Sequence, residues 1–115
     1  MVNKFIFWIK SILEEFPMPD EIKYVVFNVK FAGKYKFLEL KGYEQYPNEN
    51  DNCFIPLEAQ FFNCKELAKM KEKQFIYNLK YLIEECFSDE FIAFVLKGRS
   101  IFLYFNNKLE LLFKI

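Results

Sequence analysis

The chain has no histidine, a single arginine, a single tryptophan, three cysteines and three glycines among its 115 residues. Each shortage excludes something. Without histidine there is no side chain whose ordinary pKa lets it pass protons near neutral pH, so serine-histidine and cysteine-histidine catalysis and most zinc sites fall away together. Three cysteines, Cys53, Cys64 and Cys86, are an odd number with no close spacing, which predicts buried free thiols rather than a disulfide framework or a four-ligand zinc site. No apolar run reaches membrane-spanning length: Phe5 to Ile9 is cut by Lys10 and followed by Glu14 and Glu15. No small-residue cleavage site follows it. The chain is therefore expected to be cytoplasmic, with no membrane partner.

Aromatic residues are abundant: 16 phenylalanines and 7 tyrosines sit in a chain that is 53% hydrophobic and 28% charged, a globular balance. That length fits one domain, residues 1–115, around one core. Sixteen basic and sixteen acidic residues cancel, so no net field draws the chain to nucleic acid.

Phe5, Trp8, Ile9, Ile12, Leu13 and Phe16 recur at helical spacing and predict a helix over residues 4–16, ended by Pro17 and Pro19. Val25, Phe27, Val29 and Phe31 alternate with polar or smaller neighbours. Residues 35–43 repeat that style across a short Ala32-Gly33-Lys34 link, so two antiparallel strands are expected. Residues 44–52 lack periodicity and read as an exposed acidic loop. Residues 53–62 suggest a third strand, with Pro56 marking an edge or an interruption. Asn63 and Glu66 have the spacing of a helix start, giving a helix over 66–87 with a break near Lys71. Ser88, Asp89 and Glu90 open a third helix that Gly98 stops. Asn106-Asn107, a pair that tolerates the left-handed conformation, joins strands 100–105 and 108–115 in a hairpin. The order is α-β-β-(β)-α-α-β-β, an α+β domain with an antiparallel sheet against helices.

Chemistry-bearing motifs are scarce. No phosphate-cradling glycine loop, nucleophile elbow or metalloprotease helix occurs, and no cofactor is expected. The 44–52 loop has oxygen donors but lacks the glycine and closing glutamate of a calcium loop. Glu84-Glu85 and Asp89-Glu90 read as a solvated helical face rather than an acid-base pair. Lys65, Lys69, Lys71, Lys73 and Lys80 read as the wet side of a helix. Core packing claims most aromatics; Tyr43, Tyr46, Tyr77 and Tyr81 are the exceptions. Tyrosine beside acid has the composition of a protein-binding hot spot.

The segments Phe16-Pro17-Met18-Pro19-Asp20-Glu21-Ile22-Lys23, Val26-Phe27-Asn28-Val29, Tyr35 to Gly42 and Leu109 to Lys114 together resemble a group of small bacterial proteins. These are immunity-type proteins of polymorphic toxin and contact-dependent growth inhibition systems. The resemblance implies a non-enzymatic cytoplasmic inhibitor that binds and neutralises a cognate protein toxin. If that toxin is a basic nuclease, the contact residues would be Tyr43, Glu44, Tyr46, Glu49, Asp51, Glu84, Glu85, Asp89 and Glu90. A small-molecule-binding or regulatory module with an aromatic pocket is the alternative, and an enzyme using carboxylates or Cys53 ranks third. The oligomeric state is open, with the C-terminal strand as an available edge.

Overall fold

The computed structural model describes residues 1–47, 61–67 and 69–114, together with the backbone of residues 53–54. The chain order is α1 (Val2–Glu15), β1 (Tyr24–Ala32), β2 (Tyr35–Tyr43), β3 (Cys53–Phe54), β4 (Phe62–Asn63), α2 (Glu72–Cys86), α3 (Glu90–Val95), β5 (Ser100–Phe105) and β6 (Lys108–Lys114). Three helices cover one face of a sheet ordered β3-β2-β1-β5-β6, with β4 also paired to β2. The expected α+β class and element order hold.

One pairing departs from the expected antiparallel sheet. β1 and β5 lie side by side in parallel, Tyr24 opposite Ser100 through Asn28 opposite Tyr104. A parallel neighbour requires the chain to re-enter the sheet at the end where the first strand began. β2 already returns it there, Tyr43 opposite Tyr24; the segment that follows pairs β4 near the start of β2, and α2 and α3 then carry the chain back to the same end, where Ser100 enters beside Tyr24.

The predicted start of the second helix also moves. Asn63 lies in β4, and the Cys64 N–H donates to the Lys36 carbonyl, so strand pairing claims the residues proposed as a cap. Two tight turns then follow, Leu67 N–H to Cys64 carbonyl and Met70 N–H to Leu67 carbonyl. α2 begins only at Glu72, after Lys71.

Both hairpins follow their turn chemistry. Gly33, at φ 61°, occupies the first position of a two-residue link, where a side chain would be strained. Asn106 and Asn107 have φ of 51° and 60°, the doubly left-handed geometry of a type I′ turn. α3 is capped by Asp89, whose side chain accepts the Ile92 N–H at 3.1 Å.

The core lies between helices and sheet. Phe5, Trp8, Ile9, Ile12 and Leu13 of α1 meet Val25, Phe27, Val29, Leu38, Leu40, Ile101 and Leu103 from the strands, with Phe75, Leu79, Leu82 and Ile83 of α2. Phe5 is central: its ring stands 5.3 Å edge-on to Phe62 and 6.1 Å from Phe27. Burying one such ring is worth about 2–3 kcal/mol.

Core packing claims fewer phenylalanines than the sequence implied. Phe5, Phe27, Phe75 and Phe102 are fully buried, while Phe7, Phe31, Phe61 and Phe94 are exposed, Phe94 at 78%. Phe7 falls outside the α1 stripe, and α3 is too short to bury more than Ile92 among its own residues. Among the described residues no helix is long and apolar enough to cross a membrane.

Candidate partner-binding surface

Strand periodicity dictates a second face. Because side chains alternate, the residues between the core positions of β1 and β2 must emerge opposite the helices. Val26, Asn28 and Lys30 do so on β1, facing Lys41, Glu39 and Phe37 on β2. β5 adds Phe102 and Tyr104, opposite Val26 and Asn28. β6 adds Leu111 and Leu109. A small apolar cluster of Val26, Tyr43 and Phe102 anchors this open face, with Tyr24, Tyr104 and Leu109 packed around it.

The turn after β2 folds back onto that cluster. Tyr46, 61% exposed, stands edge-on to Phe102 at 5.5 Å and to Tyr24 at 5.9 Å. Pro47, Tyr43, Lys41, Asn28, Tyr104 and Leu109 border a surface groove of about 340 Å³. A polar cluster adjoins it. Glu39, only 8% exposed, accepts from Asn28 Nδ2 at 3.2 Å and lies 3.5 Å from Lys41 Nζ. That pairing offsets the cost of burying a carboxylate. Asn28, Glu39, Lys41 and Tyr104 were missed in the sequence, although alternation with Val25, Phe27 and Val29 on β1 and with Leu38 and Leu40 on β2 could have placed the first three at non-core positions.

The fold sorts charge along the strand axis. Tyr24, Tyr43 and Ser100 mark one end of the sheet; the Gly33 and Asn106-Asn107 turns mark the other. α1 and α2 run from the turn end toward the first: Lys4 approaches Glu66 at 3.8 Å near the start of α1, and Glu72 accepts from Asn106 Nδ2 at 3.0 Å at the start of α2. Fifteen residues of α2 then span about 22 Å. The first end therefore receives Glu14, Glu15, Asp20 and Glu21 beside Glu44, and Glu84, Glu85, Asp89 and Glu90 from the α2–α3 junction, an excess of acid over the Lys10, Lys23, Lys97, Arg99 and Lys114 that share that end. The turn end receives Lys30, Lys34 and Lys36 from the first hairpin, and Lys65, Lys69, Lys71 and Lys73 ahead of and within the first turn of α2.

The described contact residues thus meet at one end but on two layers. Tyr46 and Glu44 are exposed where the turn after β2 meets the open face, whereas Glu84, Glu85, Asp89 and Glu90 lie in the helical layer. Tyr43, expected to stand outside the core, is instead 8% exposed, because it packs with Val26 and Phe102 beneath that turn. Asp89 is partly engaged already. Its cap bond from Ile92 holds its carboxyl below the ordinary range, with Lys10 at 3.4 Å adding to the effect against a smaller cost of burial. Glu49 and Asp51 lie outside the described residues, as does the calcium-loop reading of residues 44–52 beyond Pro47. So do the side chain of Cys53 and the Pro56 interruption. Tyr77 and Tyr81 are exposed on α2, as expected.

Arg99 is a structural clamp at the acidic end. It is buried, and its guanidinium donates to the carbonyls of Ile22 at 2.7 Å, Pro19 at 3.0 Å and Val95. Burial lowers its pKa, with Asp20 opposing. Cys64 and Cys86 are buried free thiols whose pKa values are each pushed up to about 12 by burial, Lys36 opposing at Cys64 and Asp89 adding at Cys86. Thiols so far from ionised at neutral pH are poor nucleophiles. Among the described residues no three cysteine, aspartate or glutamate side chains gather as metal ligands. Comparison with family models, with curated proteins and with solved structures finds no match.

Proposed function

We propose that this chain is a non-enzymatic, toxin-neutralising immunity-type protein that acts in the cytoplasm. It binds its cognate toxin through the acidic end and the adjoining aromatic part of the open face. The observation that carries this reading is the convergence of Tyr43, Glu44 and Tyr46 with Glu84, Glu85 and Glu90 at one end of the sheet. A ring exposed at its rim and anchored on a buried aromatic, as Tyr46 is on Phe102, has the form of an interface anchor. Glu44 in the same turn, with the helical-layer carboxylates at the same end, would steer and orient a basic partner. The tyrosine-bordered groove is what a small-molecule module would use, but it is a surface trough rather than an enclosed chamber, which favours a macromolecular contact.

Co-expression with the product of the reading frame adjacent to its own tests the reading. Complex formation and rescue of growth are expected, and Tyr46→Ala combined with Glu44→Lys should weaken both. Absence of both complex and protection would contradict it.

A further inference from the structure

The lysine-rich end has a composition that partner binding at the opposite end does not use. Tyr35, Phe37 and Phe61 form an aromatic cluster there, with centroids 6.4 Å apart and rings tilted by 38° for the first pair, and 6.3 Å apart and edge-on for the second. Tyr35 is 45% exposed and Phe61 50%. Lys30 stands directly opposite Phe37 on the neighbouring strand, and Lys34 Nζ lies 5.5 Å above the Tyr35 ring. Neither lysine has an acidic partner among the described residues. Lys65 follows β4 at the same end.

The principal dimensions are 37 × 31 × 26 Å, several times the screening length of about 8 Å at physiological salt. The acids at the far end therefore do not cancel these lysines for a ligand docking here. Even totals along the chain do not mean an even surface.

We propose that this end binds single-stranded nucleic acid. Tyr35 and Phe61, exposed on either side of the half-buried Phe37, offer stacking surfaces for unpaired bases, and lysines beside them meet the phosphates. A duplex keeps its base faces covered and offers these rings nothing to stack on. Arg99 is buried on backbone carbonyls, so no guanidinium is left for bidentate reading of base edges. Binding is consequently sequence-tolerant. It is separate from the partner contact proposed above and does not depend on it.

The test is fluorescence anisotropy of labelled oligothymidylate and oligouridylate of about 12 nucleotides at about 50 mM salt. The folded chain should bind both, and Lys30→Glu with Lys34→Glu should weaken binding at least tenfold. Tyr35→Ala with Phe61→Ala should do the same, since one lost stacking contact is worth roughly tenfold or more. Both pairs are exposed positions, and unchanged thermal melting would verify the fold. Heparin, an anion without bases, should respond to the lysine pair and not to the aromatic pair. The proposal is overturned by no oligonucleotide binding, by indifference to the aromatic pair, by equal affinity for a duplex of the same length, or by equal competition from an acidic aromatic peptide.

Discussion

The two ends of the sheet differ in sign and in construction. At the acidic end a buried arginine fastens three backbone carbonyls, Asp89 caps α3 and Tyr46 is pinned on Phe102. At the basic end the two hairpin turns are exposed, Tyr35 and Phe61 stay wet, and Lys30, Lys34 and Lys36 have no acidic partner among the described residues, Lys34 lying over Tyr35 and Lys36 over Phe75. The contrast teaches that a net charge of zero is a sum over the chain. What a partner meets is a local field, and the shared direction of α1 and α2 along the strands places opposite signs in excess at opposite ends.

That contrast in construction is open to breakage. Replacing Arg99 with Met leaves three carbonyls without their donor. It should cost about 3 kcal/mol in urea unfolding, the largest single effect expected among the polar contacts. Asp89→Ala removes a helix cap and should cost about 1 kcal/mol. Because the folded pKa of Asp89 is depressed, its contribution is present at pH values above the ordinary carboxylate range and is lost as pH falls through the folded pKa; Asp89→Asn should flatten that acid limb in a pH series of melts. At the basic end, Lys36→Met should cost no more than about 1 kcal/mol, since it forfeits a cation positioned 4.3 Å from the Phe75 ring while keeping the apolar stem. A cost there equal to that of Arg99→Met would erase the asymmetry.

The cysteines probe both ends, Cys64 beside β4 and Cys86 at the close of α2. Their folded pKa values are raised above the ordinary value of about 9, so the stability they contribute is intact below pH 9 and is lost as pH climbs from there toward 12. Thiol titration at pH 8 should find both unreactive until denaturant is added.

Legibility in the sequence followed locality. The α1 stripe, both hairpins with their Gly33 and Asn106-Asn107 turns, and the Asp89 cap all rest on neighbours a few residues apart, and all were readable. The parallel β1–β5 pair was not, because it depends on where a long crossover lets the chain return. The capping pattern of Asn63 and Glu66 misled because a long-range pairing with β2 outcompeted a local signal. At the candidate site the exposure of Tyr46 was legible from composition, whereas Tyr43 was not: its burial depends on Val26 and Phe102 of neighbouring strands. The polar Asn28–Glu39–Lys41 cluster required knowing that Asn28 and Glu39 are cross-strand partners. The segregation of charge was hidden for the same reason, since it depends on α2 starting beside the Asn106-Asn107 turn, where Glu72 meets Asn106.

The most direct measurement is amide hydrogen exchange of the chain alone and after adding the product of the adjacent reading frame. Slowed exchange at residues 43–46 and 84–90, with residues 30–37 unchanged, is the expected result. Protection confined to residues 30–37, or no protection anywhere, would contradict the assignment of partner binding to the acidic end.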